Sequence, residues 1–163
     1  MKKKAISLCL SALLILSFSL LCVAQSDVEI TKSMQVVDTL DNVDALYRPG
    51  TVADDYGDST YKCAAYPIKY FKKLYSVSLS GLSENGTPTV TSGKLTVVTD
   101  PKKGDLAFWP STPHSAIVKS VSGDKVILIE QNWKYKSGGK WYATIDRQVS
   151  KTSSGLKIYR WSK

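Results

Sequence analysis

The stretch HSAIVKSVSGDKVILIEQN, residues 114–132, predicts a β-hairpin. Two runs rich in β-branched and other apolar residues flank a turn sequence at residues 122–124. If those three residues form the loop, His114 faces Asn132 at the open end of the hairpin, and Glu130 lies one pleat away on the same face. A different loop length would change which residues face His114. The hairpin therefore predicts a polar cluster around the chain's only histidine.

Strands are also predicted on both sides of this hairpin, because short apolar runs alternate with turn residues. They cover residues 94–99, 105–109, 141–145 and 156–161. Before them, a loop rich in Gly, Ser, Thr, Pro and Asn spans residues 80–93. One helix followed by a run of antiparallel strands is an α+β arrangement, and this is the predicted fold class.

The predicted helix precedes that loop. Ala64, Ile68, Phe71 and Tyr75 recur at spacings of four, three and four, which places them on one helix face. Pro67 would clash with the carbonyl four residues earlier, so the helix either begins close to Cys63 or kinks there. Good capping residues precede it at positions 58–60. If the helix begins there, the Cys63 thiol lies in its first turn.

The N-terminus predicts a secretory signal peptide at residues 1–24. Three lysines at positions 2–4 precede the apolar run 5–21, and Cys22-Val23-Ala24 offers small residues for cleavage. The alternatives are an uncleaved membrane anchor and a lipoprotein anchored through Cys22. The expected organisation is a signal peptide (1–24), an N-terminal arm or short helix (25–55) and a catalytic domain (56–163). We therefore expect a secreted or periplasmic protein.

Charge and length restrict the partners that we expect. Removal of the signal peptide takes away three lysines and no acidic residue, so the formal net charge falls from +8 to +5. A mildly basic secreted protein is drawn to anionic surfaces, bacterial wall polymers among them. Without a long Lys/Arg stripe or a nucleic-acid motif, we expect no nucleic-acid partner. We expect a monomer that does not associate with the membrane after signal cleavage.

Cysteine usage points to a reactive thiol. Of the three cysteines, two lie in the predicted signal peptide, and only Cys63 remains in the mature chain. A lone thiol, then His114, then Glu130 or Asn132 is the chain order of a cysteine-nucleophile hydrolase. A carboxylate or amide beside the imidazole would set its tautomer, which is the third role of a catalytic triad. Separately, each residue has an ordinary alternative: a buried inert thiol, a surface histidine and a solvated strand end.

Three segments resemble the CHAP domain of the NlpC/P60, papain-like superfamily. The resemblance rests on KGDLAFW (103–109), HSAIV (114–118) and EQNW (130–133), and it covers about residues 56–161. It implies a papain-like α+β fold, in which an N-terminal helix that carries the cysteine packs on an antiparallel sheet. The family often has a glycine and a glutamine before the nucleophile, where this chain has Tyr61 and Lys62.

The activity that the resemblance implies is hydrolysis of peptidoglycan amide bonds, either as a stem-peptide endopeptidase or as an N-acetylmuramoyl-L-alanine amidase. Cys63 would be the nucleophile, with His114 as general base and then acid. Glu130 would orient the imidazole, and Asn132 would be a second polar partner. The backbone N–H of Cys63 would stabilise the oxyanion, with Tyr61 as a further candidate there. No cofactor is implied.

The sequence leaves more than one interpretation open for the tryptophans, for the clustered aspartates and for the function. Trp109 and Trp133 either line a substrate cleft or are core aromatics at strand ends. The aspartates at positions 54, 55 and 58 form a solvated turn and helix cap more readily than a calcium site, so we expect no metal. Two rival functions remain: a wall-binding module without catalysis, and a secreted cysteine protease or antibacterial toxin.

Overall fold

The computed structural model describes residues 24–163, apart from the side chains of residues 56 and 57. The predicted signal peptide, including Cys22, lies outside the described residues except for its last position. The strands are β1 (Ser26–Ile30), β2 (Gln35–Leu40), β3 (Val43–Tyr47), β4 (Leu79–Ser80), β5 (Thr89–Val90), β6 (Lys94–Val97), β7 (Leu106–Trp109), β8 (His114–Ser122), β9 (Lys125–Glu130), β10 (Lys134–Ser137), β11 (Lys140–Ile145), β12 (Arg147–Ser150) and β13 (Lys157–Ser162). A 3₁₀ helix spans Ala53–Gly57, and the helix α1 spans Ala65–Tyr75. Within residues 24–163, no helix is long and apolar enough to cross a membrane.

The predicted α+β, papain-like fold class is wrong. The structure is mostly β, with 46% of the described residues in strands and 10% in helices, and α1 is the one α-helix in that part of the chain. Much of the difference comes from residues 25–55, predicted as an arm or a short helix, which contain β1, β2 and β3. β3 has a buried face that alternates with less buried residues, whereas β1 and β2 are buried only at their last residue, so the segment is polar in composition although it forms strands.

A six-stranded antiparallel sheet forms the centre of the molecule, in the order β12-β9-β8-β7-β13-β6. A second sheet has the order β1-β11-β10, and β2-β3 and β4-β5 form two-stranded ribbons. The predicted strands at 94–99, 105–109, 141–145 and 156–161 correspond to β6, β7, β11 and β13. The antiparallel sheet predicted around the central hairpin is therefore present, and further strands were missed.

The β8–β9 hairpin has the predicted pairing at its open end, but its turn and its register differ from the prediction. Ser122 pairs with Lys125, so the turn has two residues and the predicted three-residue loop is wrong. The register then shifts by one between Val118 and Ser120, where β8 has a bulge at Lys119. The bulge offsets the shorter turn, and Ala116 pairs with Glu130. Continued to the open end, this register sets His114 opposite residue 132, as the three-residue loop predicted.

The main core lies between one face of the central sheet, the helix α1 and the β2–β3 ribbon. Its buried members include Tyr47, Phe71, Phe108, Ile117 and Ile129. A smaller cluster on the opposite face of the sheet contains Ala107, Ala116, Val118, Val126, Leu128 and Ile158. Along β8 and β9, His114 and Glu130 are separated from the members of this second cluster by even numbers of residues. Their side chains therefore project from the same face of the sheet as this smaller cluster.

The buried face of α1 differs from the predicted one. Tyr66, Pro67, Tyr70 and Phe71 are its buried residues, whereas Ile68 is 40% exposed. The sequence analysis did not place the buried tyrosines on this face, because the partners of their hydroxyls are visible only in the folded protein. The Tyr66 hydroxyl donates to the carbonyl of Val43 at 3.2 Å. Buried tyrosines are common where the phenol has such a partner.

The Gly-Asp pair at residues 104 and 105 has a structural role. Gly104 has φ +89°, and a Cβ there would come within 2.8 Å of the Tyr75 hydroxyl. Asp105 accepts a hydrogen bond from the backbone N–H of Lys102 at 2.7 Å and forms a two-point ion pair with Arg160 on β13. Together these contacts hold the start of β7 against α1 and β13.

Candidate active site

Cys63 lies just before α1. The helix begins at Ala65, and Ala64 occupies the N-cap position without a side-chain hydrogen bond, so the thiol precedes the first turn instead of lying in it. Pro67 is the third helical residue, where its missing N–H costs no intrahelical hydrogen bond. The helix therefore starts close to Cys63 and does not kink there, which was the first of the two predicted alternatives.

The thiol of Cys63 is partly buried against the start of β8. Its Sγ lies 3.6 Å from the carbonyl oxygen of Pro113. Burial raises the pKa of this thiol, but the hydrogen bond and charge of His114 and the backbone groups of Ser115 and Ala64 lower it by more. The net pKa lies below the usual value. A thiol with this environment has the thiolate character that a nucleophile needs.

His114 links the thiol to a carboxylate. Its Nε2 forms a hydrogen bond with Oε2 of Glu130, and the imidazole lies near enough to Cys63 for each group to shift the pKa of the other. Because Nε2 is engaged by the carboxylate, Nδ1 is the ring nitrogen left to serve the thiol. Burial lowers the pKa of His114, but its bonds to Cys63 and Glu130 raise the pKa to about 9. The sequence prediction that His114 and Glu130 lie side by side is met in the structure.

Glu130 is also held by Arg147, which sequence analysis missed. Arg147 Nε lies 2.5 Å from Oε1, and Nη2 lies 2.8 Å from Oε2. Burial raises the pKa of Glu130, whereas the bonds from Arg147 and His114 lower it by more, so the net pKa lies below the usual value. The only sequence signal for Arg147 was its place at the start of β12, a strand that was not predicted.

Two tryptophans lie beside His114, one packed against the core and the other partly exposed. Trp109 and Trp133 have ring centroids 5.8 and 5.0 Å from that of His114. Trp109 packs against the smaller core cluster and is not one of the residues that line the cleft described next. Trp133 is 41% exposed and lines the cleft described next.

An open cleft of about 520 Å³ gives access to the thiol and the imidazole. Its walls are Val52, Cys63, Thr112, Pro113, His114, Asn132, Trp133, Lys134 and Tyr135. The size falls within the range of small-molecule and peptide sites. One wall comes from the turn before α1, one from the β7–β8 connection, and one from the segment that leads from β9 into β10.

Asn132 lies in this cleft and does not make the hydrogen bond that orients the imidazole, which comes from Glu130. Its backbone has a left-handed conformation, with φ 63°, where the chain turns from β9 toward β10. Its Oδ1 is buried without a hydrogen-bond partner among the described residues. The predicted second polar partner is therefore part of the cleft wall.

Tyr61 is placed away from the cleft lining. Its ring is buried, its hydroxyl accepts a hydrogen bond from the backbone N–H of Met34 at 3.2 Å, and the Arg48 guanidinium lies 4.7 Å from the ring centroid. These contacts give Tyr61 the role of a support beneath the segment that leads to Cys63.

The predicted acidic turn is neutralised by cations. Asp55 is buried and binds Arg48 at 2.8 Å and Lys134 at 2.6 Å. Asp58 lies 3.6 Å from the same arginine and accepts a hydrogen bond from the N–H of Thr60, and Asp54 binds the backbone and hydroxyl of Thr51. Within the part of the chain that the structure describes, no group of three or more His, Cys, Asp or Glu side chains is arranged to hold a metal ion.

Gln131 connects the strand of Glu130 to the segment before Cys63. It is fully buried, and its Oε1 accepts hydrogen bonds from the Leu46 N–H and the Lys69 ammonium, each at 3.1 Å. Its Nε2 donates to the carbonyl of Thr60 at 2.8 Å. This one side chain therefore joins β9, β3, α1 and the turn that carries the thiol.

Comparisons of the chain with protein-family models, with curated proteins and with solved structures found no match.

Proposed function

We propose that this protein is a cysteine hydrolase that cleaves amide bonds of bacterial peptidoglycan. The observation that carries the proposal is the placement of Cys63, His114 and Glu130: the imidazole forms a hydrogen bond with Glu130 and shifts the pKa of the thiol, and thiol and imidazole open into one cleft. This series supplies a nucleophile, a proton carrier and a group that orients the carrier. The proposal rests on the site, because the fold class that the resemblance implied is wrong.

The first half of the reaction uses the thiolate and the imidazolium together. The Cys63 sulfur attacks the amide carbonyl carbon, and the carbonyl oxygen takes the electron pair. When the carbonyl re-forms, the carbon–nitrogen bond breaks and His114 donates its Nδ1 proton to the leaving amine. The products are a free amine and a thioester on Cys63. The backbone N–H of Cys63 lies where α1 begins and is the proposed donor to the oxyanion.

The second half regenerates the thiol. His114 is now neutral and removes a proton from water, whose oxygen attacks the thioester carbonyl. The carbon–sulfur bond breaks, the product leaves as a carboxylic acid that releases its remaining proton to solvent, and Cys63 and His114 recover the ion pair. Throughout both halves Glu130 remains ionised and holds Nε2, so the ring keeps the orientation that each proton transfer requires.

The substrate class follows from the sequence and not from the geometry. The segments at 103–109, 114–118 and 130–133 resemble a family of peptidoglycan hydrolases. A secretory signal and a net positive mature chain suit a wall polymer outside the cytoplasm. The exposed rings of Trp133 and Tyr135 on the cleft wall offer apolar contacts to a stem peptide. Within this class we favour cleavage in the peptide over cleavage at the sugar–peptide junction.

Digestion of purified peptidoglycan tests the proposal. Wild type and Cys63→Ala would be incubated with wall, and soluble fragments identified by mass spectrometry. We expect wild type to release fragments with new amines and carboxylates, and Cys63→Ala to release none while remaining folded. Equal release by both proteins would refute the cysteine mechanism, and new reducing sugar ends would refute amide cleavage. Wall binding without any release by wild type would favour a binding module.

A further inference from the structure

Arg147 makes a two-point contact with Glu130, and its Nη2 shares the Oε2 oxygen with the imidazole. Its Nε and Nη2 lie 2.5 and 2.8 Å from the two carboxylate oxygens. Both side chains are largely withdrawn from solvent, with 14% of Arg147 and 1% of Glu130 exposed. A fork of this kind sets the plane of the carboxylate as well as its charge, because two parallel hydrogen bonds allow one orientation.

Two tryptophans hold the guanidinium in place. Its central carbon lies 3.9 Å from the ring centroid of Trp133 and 5.4 Å from that of Trp109. Both distances are within the range of cation–π contact. The same rings lie beside His114. The arginine is therefore part of one packed unit with the imidazole, although it comes from a strand that the sequence motifs do not include.

The four groups form a row of alternating charge: Arg147 positive, Glu130 negative, His114 positive and Cys63 negative. With the arginine present the row has no net charge. Without it, the remaining ion pair and carboxylate would carry one uncompensated negative charge in a poorly solvated site, and such a site takes up a proton. The thiolate is the member that would be protonated most readily, because it has the higher intrinsic pKa of the two anions.

We propose that Arg147 is a positioning residue of this site: its fork on Glu130 sets the imidazole plane, and its charge maintains the thiolate of Cys63. The inference rests on the proposed function only in treating Cys63 as the nucleophile. The charged or titratable groups that face His114 and Glu130 are Cys63 from the turn before α1, Arg147 from β12 and Tyr47 from β3. Of these, Arg147 is the permanent cation.

The test is the pH dependence of iodoacetamide alkylation of Cys63, which needs no wall substrate. Arg147→Met removes the charge and the fork, whereas Arg147→Lys keeps the charge and loses the fork. Arg160→Met is a matched control, because Arg160 makes the same two-point contact with buried Asp105 on a distant part of the sheet. Melting curves and circular dichroism would confirm that each variant is folded.

We expect Arg147→Met to shift the alkylation curve to higher pH by about one unit, so that alkylation below the wild-type midpoint slows by up to about tenfold. Arg147→Lys should keep most of the wild-type curve but lose about tenfold in wall hydrolysis, since the carboxylate plane is no longer set. Arg160→Met should leave the curve and the hydrolysis unchanged.

A folded Arg147→Met protein with the wild-type alkylation curve would overturn the inference. If Arg147→Met does not fold, Arg147→Lys decides: wild-type hydrolysis in that variant would show that the fork does not position the imidazole. A shift in alkylation together with a wild type that does not digest wall would refute the proposed function and leave the role of Arg147 intact. The two failures are therefore distinguishable.

Discussion

Replacement of Gln131 by leucine should destabilise the protein strongly, although leucine has a similar size. The amide of Gln131 is fully buried and forms three hydrogen bonds, with the Leu46 N–H, the Thr60 carbonyl and the Lys69 ammonium. Leucine would fill much of the same space and satisfy none of these groups. Lys69 would keep its bond to the Asp44 carbonyl at 2.9 Å, so two backbone groups are left without a partner.

The magnitude follows from those two groups. An unpaired buried donor or acceptor costs about 1–3 kcal/mol, and because Leu46 and Thr60 are only partly buried, the loss in the free energy of unfolding should be about 2–3 kcal/mol, near the lower end for two groups. Because marginal domains are stable by about 5–15 kcal/mol, this loss would be a large part of the total. The Thr60 carbonyl lies three residues before the thiol, so wall hydrolysis should also fall under conditions in which the variant is still folded.

Urea denaturation followed by circular dichroism would measure the change. Gln35→Leu is the matched control, because Gln35 also accepts from a backbone N–H, that of Thr31, and donates to a backbone carbonyl, that of Glu29. Gln35 is only partly buried, so water can replace its partners and the cost should stay below about 1 kcal/mol. Equal losses for the two variants would refute the argument that burial makes the Gln131 contacts costly to remove.

Two further predictions concern the reaction itself. Because the His114 pKa is raised to about 9, hydrolysis should fall as the pH rises through about 9, where the imidazolium loses the proton that it donates to the leaving amine. A pH–rate profile with a maximum near pH 5 would contradict this. His114→Ala should abolish hydrolysis as fully as Cys63→Ala, because members of one catalytic unit do not act additively, whereas Glu130→Gln should retain part of it, since an amide can still hold the ring. Steady-state rates with purified wall would check both variants, and a Glu130→Gln protein as inactive as His114→Ala would show that the carboxylate charge is indispensable.

One hairpin made the contact between His114 and Glu130 predictable. His114 and Glu130 were expected side by side because β8 and β9 are adjacent in the chain and alternate their side chains between two faces. The predicted loop was one residue too long, and the bulge at Lys119 offset that difference. The position of Cys63 was nearly right because Pro67 restricts where α1 can begin.

The fold class was wrong for a reason that can be located in the chain. Val43, Ala45 and Tyr47 are buried and alternate with Asp44 and Leu46, a two-residue period that predicts a strand. The sequence shows this period only in part, because Leu46 is apolar as well, and the polar residues around the segment favoured an arm. Whether such a half-polar segment forms a strand depends on the partner that covers its apolar face, here α1 and the central sheet.

Local sequence patterns were sufficient to predict those parts of the protein in which the contacting residues are close together in the chain. The β8–β9 hairpin, the start of α1 and the lone thiol were all predictable, because turn residues, proline and side-chain alternation act within a few positions. Arg147 beside Glu130, Gln131 beneath Thr60 and the pairing of β1 with β11 were not. Their contacts join residues from 17 to more than 70 positions apart, and which of many equivalent polar side chains meet is decided only when the sheets and helix pack together.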